Sequence, residues 1–238
     1  MKVTPAISTL LMLVACGGPA RQVEPNAPIP ASEVRYRGQI FQNERLTAFL
    51  LELPPQHATL MHRHDRDILS VFINGGRTVG TFEGRGSVPD TFAAGNVRFR
   101  PAGFTHATHN VGTDVFRSVI IEFSESHGAA EPVSTPTAIS CTPAETTCVR
   151  EKALLCAARF CVYDVTMDRG AVRNLAPYRD HVLVALSDYS MIHEADTARV
   201  ASARATGELE YLRAGVAHRS INSGQRSIRF IAVSISER

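Results

Sequence analysis

From Arg35 onward the chain is a succession of short runs rich in Val, Ile, Leu, Phe and Thr, each cut off by Gly, Pro, Asn or Asp within a few residues. Candidate strands are Arg35–Phe41, Arg45–Leu53, Leu69–Asn74, Thr78–Phe82, Val97–Arg100 and Arg117–Phe123, followed by Arg159–Met167, Val182–Ser187, Leu209–Arg213 and Ser227–Ile235. Turn signals about 8–12 residues apart suit sandwiches and barrels, in which a strand reverses once it has crossed its sheet. Asn74-Gly75-Gly76 reads as a hairpin turn. The last run is apolar on both faces, with Ile228 and Phe230 on one side and Ile231, Val233 and Ile235 on the other, so it predicts a strand covered on both sides. Helical candidates are few, and Cys148–Ala158 is the best of them. The fold class is all-β.

A chain of 238 residues is long enough for two small cores. The two halves also echo each other: the run Arg45–Leu53 parallels Arg159–Met167, and Ile68–Phe72 parallels Val182–Leu186. A repeat of that long period implies a duplicated domain. Residues 129–147 are rich in Pro, Ser and Thr, so the expected units are a first barrel over 35–128, a linker over 129–155 and a second barrel over 156–238. Charge is nearly balanced, with 25 Lys+Arg against 23 Asp+Glu, and no block of like charge suggests a nucleic-acid partner.

The N-terminus carries an address. Lys2 precedes an apolar run, Ile7–Ala15, that is too short to span a bilayer. The run ends Leu-Val-Ala-Cys at Cys16, which resembles the bacterial lipobox. The resemblance implies a signal peptide over 1–15, a lipidated Cys16 as mature N-terminus and a flexible tether over 16–34. Gly17 after the cysteine favours outer-membrane sorting, so the expected location is the cell envelope, anchored to the membrane by lipid. Cys141, Cys148, Cys156 and Cys161 fit that address as one or two disulfides, with the pairing open. A zinc site is disfavoured because no C-x2-C pair is present.

The sequence from Gly95 to Asn110, GNVRFRPAGFTHATHN, has Pro101, Gly103, His106 and Asn110 at the spacing G-x5-P-x-G-x2-H-x3-N. This resembles the second motif of the cupin superfamily, and the chain is identified on it as two tandem cupin barrels of jelly-roll type. The first cupin motif corresponds to His62-Arg63-His64, whose alternate residues share one strand face. The resemblance implies a metal site formed by His62, His64 and His106, holding Fe, Mn, Ni or Zn. The family's fourth ligand, a Glu, falls at Ile68 or Leu69; Asp67 is one residue short and would reach the metal only through a bulge. Some cupin dioxygenases work with three histidines alone.

In the second half the run from Gly207 to Asn222 keeps the frame of the second motif with Arg213 in place of Pro, while Ala176 and Tyr178 stand where the two histidines are expected. His218 alone makes no site. The second barrel is left as a structural unit, a wall for the first pocket or a homodimer surface. Two functions stay open: a metal-dependent oxygenase or related enzyme acting on a small organic molecule, or a non-catalytic ligand-binding or structural lipoprotein. Fold alone does not choose between them.

Overall fold

The computed structural model describes residues 28–134, 137–141, 147–195, 198–215 and 219–236. The signal-peptide and lipidation expectations at 1–27, and His218, lie outside them. Each half is a pair of facing sheets. In the first half one sheet runs Ile29–Pro30, His62–His64, Phe104–Asn110, Gly76–Phe82, Gly86–Phe92; the other runs Arg37–Gln42, Leu46–Leu53, Phe116–Phe123, Ile68–Phe72, Val97–Arg100. In the second half Glu131–Pro132, Cys148–Cys156, Phe160–Met167, Ile228–Ser236, Arg179–Ala185 and Leu209–Leu212 form one sheet, with Ala138–Cys141 paired to Cys148–Cys156. Val172–Asn174, Arg219–Asn222, Tyr189–Glu194 and Arg199–Arg204 form the other.

The strands apolar on both faces explain how the halves meet. Leu46, Ala48, Leu69, Val71, Val119, Ile121 and Phe123 of the first half form one buried cluster with Phe160, Val162, Val182, Val184, Ile231, Val233 and Ile235 of the second. The alternate side chains of the same strands fill the two barrel interiors: Leu51, Leu53, Ile68 and Ile120 in the first, and Val165, Met167, Leu183 and Phe230 in the second. Arg45 reaches across to Asp180 at 2.5 Å, and Arg159 reaches back to Glu125 at 3.1 Å. Arg229 lies over Gly95 and Arg117 over Gly207, where an added Cβ would meet the guanidinium nitrogen at 2.6 and 2.9 Å. Both glycines hold a positive φ, +86° and +93°, that a side chain would strain.

Four sequence expectations are corrected. Cys148–Cys156 is a strand: its helix-forming Glu, Lys and Ala are overridden by burial of Val149 and Leu155 and by two bridges to antiparallel neighbours. The bridges are Cys141–Cys148 and Cys156–Cys161, each between residues in register across a strand pair. The 129–155 segment is therefore largely part of the second unit's sheet. Residues 29–34 are not tether: Ile29–Pro30 pairs in parallel with His62–Arg63, and Ala31 and Val34 are buried. Asn74-Gly75-Gly76 turns the chain between two different sheets, not within a hairpin; Asn74 clamps the turn by donating to the Val115 carbonyl at 2.6 Å and accepting from the Arg117 amide at 2.8 Å. Unreduced mass spectrometry is expected to find these four cysteines oxidised. Replacing Cys156 and Cys161 together by Ser is expected to cost about 2 kcal/mol, the entropy of a short closed loop, and four free thiols in the wild type would contradict the pairing.

Candidate metal centre

His62 and His64 occupy the ends of a three-residue strand whose middle residue, Arg63, faces solvent, so the pleat turns both imidazoles inward. His106 stands directly opposite His62 in the antiparallel register. Pro101 and Gly103 make the turn before it, with Gly103 at a φ of +90°. The three rings meet with centroids 4.5 to 5.2 Å apart, and one nitrogen from each lies within 4.8 Å of the others. The Nε2 atoms of His64 and His106 are 3.3 Å apart.

Two rings are held from behind. His62 Nδ1 donates to the Leu60 carbonyl at 2.8 Å, which leaves Nε2 as the lone-pair nitrogen. His64 Nδ1 faces Glu122 Oε1 at 3.4 Å, a long contact, while the same oxygen accepts a short bond from Arg37 at 2.6 Å. Arg37 is itself anchored on the Ala31 carbonyl at 2.7 Å and lies 3.7 Å over the Phe49 ring. Burial lowers the basicity of all three imidazoles. His62 falls to about 4, and His106 to about 2 with its two histidine neighbours adding to the effect. Burial alone would raise Glu122, but His64 and Arg37 outweigh it and hold the carboxylate at about 2. The result is three neutral nitrogen donors backed by an ionised carboxylate, the donor set that a borderline transition-metal dication prefers, so the residues fit such an ion. Glu122 was not found from sequence. It is far from both motifs in the chain, and only the pairing of Phe116–Phe123 with Ile68–Phe72 and Leu46–Leu53 brings it behind His64.

Asp67 does not join the cluster. Its Oδ1 accepts from the Ala102 amide at 2.8 Å, and its Oδ2 from the His127 amide at 2.7 Å and the Ser126 hydroxyl at 3.2 Å. In the second half Asp180 makes the matching bond to the Ala214 amide at 2.8 Å. A carboxylate that does the same work in a barrel without the histidines is a turn staple. Asp67→Asn is therefore expected to lower stability by about 1–3 kcal/mol, the cost of disturbing buried bonds to a charged acceptor, and to leave metal content unchanged; loss of metal equal to that in His62→Ala would make Asp67 a ligand after all. Asn110 and Asn222 are a second matched pair. Asn110 donates to two backbone carbonyls around its turn and Asn222 to three, and each accepts from the amide of the glycine two residues on, Gly112 or Gly224. Ile68 and Leu69 are buried, Ile68 toward the first barrel's interior and Leu69 toward the second half. His57 is exposed and His109 half-buried, both outside the cluster.

A cavity of about 100 Å³ adjoins the cluster, lined by His64 and His106 together with Thr78, Thr108, Ser118 and Arg100 among others, all from the first half. The second half therefore does not wall this pocket. Its own interior carries different residues. With Asn110 and Asn222 as equivalents, Met191 takes the place of Thr78 and His193 the place of Gly80. His193 bonds Ser220 at 2.8 Å and lies 3.3 Å from Glu210, which also accepts from the Tyr189 hydroxyl at 3.0 Å. Tyr178, expected at a histidine position, is 63% exposed, whereas Leu175 is buried. Among the described residues the first-half cluster is the one group able to hold a metal ion.

No family model and no curated protein matches the chain. Solved structures do. AerE from Microcystis aeruginosa is 13% identical, covering 84% of this chain and 97% of its own, with a TM-score of 0.60. A point mutant of oxalate decarboxylase OxdC from Bacillus subtilis is also 13% identical, covering 82% of this chain and 70% of its own, with a TM-score of 0.56. A further structure of that decarboxylase, from work on its Mn(II) centres, has the same coverage and a TM-score of 0.57. At this identity the likeness is one of fold.

Proposed function

We propose, for a chain whose fold is that of the two-barrel cupins, that it is an exported, metal-dependent enzyme in which His62, His64 and His106 hold one divalent transition-metal ion. The substrate is a small organic molecule in the adjoining cavity. The observation that carries this reading is the convergence of two buried imidazoles and a half-buried third beside a cavity, two of them with a polar group behind. When bound, the ion supplies Lewis acidity and, if redox-active, reaction with O2. The chain's own residues supply the rest. Glu122 and Arg37 orient His64, and Phe82 and Phe104 flank His106 and limit water around it.

A three-histidine ligand set, with which some cupin dioxygenases work, supports O2-dependent chemistry as the first reading, and the oxalate decarboxylase neighbours suggest decarboxylation as the alternative. The test is elemental analysis of the purified chain, followed by O2 uptake and CO2 release with small organic acids after loading with Fe(II), Mn(II), Ni(II) or Zn(II). Near-stoichiometric metal with turnover is expected. Metal without any turnover would make this a binding protein, and no metal at all a degenerate barrel.

The two disulfides suit an oxidising, exported location, and no helix among the described residues is long and apolar enough to cross a membrane. The lipobox resemblance at Leu13–Cys16 gives the anchor. Feeding cells a labelled lipid precursor is expected to mark the wild-type chain and not Cys16→Ser; label retained in the variant would remove the anchor from this reading.

A further inference from the structure

We propose that Arg100 is the carboxylate-binding residue of the cavity beside the histidine cluster, and that this cavity takes a small aliphatic carboxylate. The inference names the substrate class for the reading above and rests on it. Arg98 and Arg100 are alternate residues of the strand Val97–Arg100, and both line the cavity. Their circumstances differ. Arg98 is neutralised by Asp90 at 2.5 Å, whereas no described residue gives Arg100 a hydrogen bond or a carboxylate within ion-pair distance. The Arg100 guanidinium is instead held over the rings of Phe82, at 4.7 Å, and Phe104, at 5.7 Å. Stacking of that kind fixes the group while leaving its N–H donors unused.

The charges around it do not cancel. Glu122 is taken up by Arg37 and Asp90 by Arg98. A half-buried guanidinium left in that state favours an anion, and a planar carboxylate matches its paired donors. A metal ion on the histidines would add to the positive field.

Size and lining narrow the class. A cavity of about 100 Å³ is below the roughly 300–1,000 Å³ of ordinary small-molecule pockets, so the ligand is small. The same lining includes Leu51, Ile68 and Phe72, with Ile68 directly beside Arg100 in the strand register. A single unpaired cation among apolar side chains suits a short-chain carboxylate better than phosphate, which has no apolar part to place there.

The test is isothermal titration of the full-length chain with acetate, acetamide and inorganic phosphate, on wild type, Arg100→Gln and Arg100→Lys, each with and without added Mn(II). Metal content is measured on the same samples. Acetate is expected to bind the wild type at least 10-fold more tightly than acetamide or phosphate, to weaken at least 10-fold in Arg100→Gln, and to recover in part in Arg100→Lys. Unchanged acetate binding in both variants, or phosphate or acetamide binding as tightly as acetate, overturns the assignment. The two readings fail separately. A chain that loads Mn(II) but is indifferent to Arg100 keeps the metal site and loses this inference. One that binds no metal yet loses acetate in Arg100→Gln keeps the inference and loses the metal site.

Discussion

Single replacement of His62, His64 or His106 by Ala is expected to weaken metal binding by more than about 100-fold, because partners outside the ligand set alone account for about 10–100-fold and here a ligand itself is lost. His57→Ala and His109→Ala are the controls, since neither ring joins the cluster, and both are expected to keep wild-type metal content. The pH dependence follows from burial. Binding needs neutral imidazoles, and a hydrated histidine would lose the competition with protons near 6.5. In the folded chain burial lowers His62 to about 4 and His106 to about 2, with His64 shifted the same way. Metal is therefore expected to stay bound as pH falls through 6.5 and to leave only toward about 4; release with a midpoint at 6.5 would mean that the rings are wetter than their burial indicates. The metal-free chain carries the same signature with the sign worked out. Between 6.5 and about 4 the unfolded state binds more protons at these positions than the folded one, so stability is full above 6.5 and falls as pH drops through that window. Thermal midpoints of metal-free protein at pH 7, 5.5 and 4 check it.

Phe160→Ala is expected to cost about 3–5 kcal/mol, the usual price of emptying a fully buried aromatic site, and to destabilise both halves at once. Phe160 is 1% exposed and stacks on Phe123 at 4.9 Å, with His127 at 5.3 Å and Phe99 at 5.4 Å, so one side chain of the second half is packed by three rings of the first. Urea unfolding of wild type and variant, followed by near-ultraviolet signals, is expected to show one transition that shifts as a unit. A variant in which one half unfolds early while the other keeps its wild-type midpoint would mean that the shared cluster does not couple them.

The first half was legible because its motif residues have local jobs. Pro101, Gly103 and Asn110 shape a turn, and His62, His64 and His106 follow from strand alternation and one pairing. Strands that carry both faces in apolar residues, such as Ile228–Ser236, were visible for the same reason. Short strands of the second half, Val172–Asn174 and Arg219–Asn222, have no such run and exist because neighbours supply their partners. Register was harder than existence. Ile68–Phe72 corresponds to His181–Ala185, not Val182–Leu186, and a slip of one residue moves every side chain to the opposite face. Cys148–Cys156 misled because its composition favours a helix while its partners, two cystines and two flanking strands, are remote from any local rule. Asp67 and Glu122 show the same limit from two sides. A carboxylate near the motif turned out to staple a turn, and one far from it stands behind His64.

The reciprocal contacts between the halves, Arg229 over Gly95 and Arg117 over Gly207, tie equivalent positions of the two barrels to each other. A contact in which each partner offers the same patch to the other is the signature of a twofold dimer. The two halves thus meet about a pseudo-twofold axis, as the subunits of such a dimer do. The symmetry stops at the site: among the described residues the first half alone gathers three histidines, and the second has His193 where the first has Gly80.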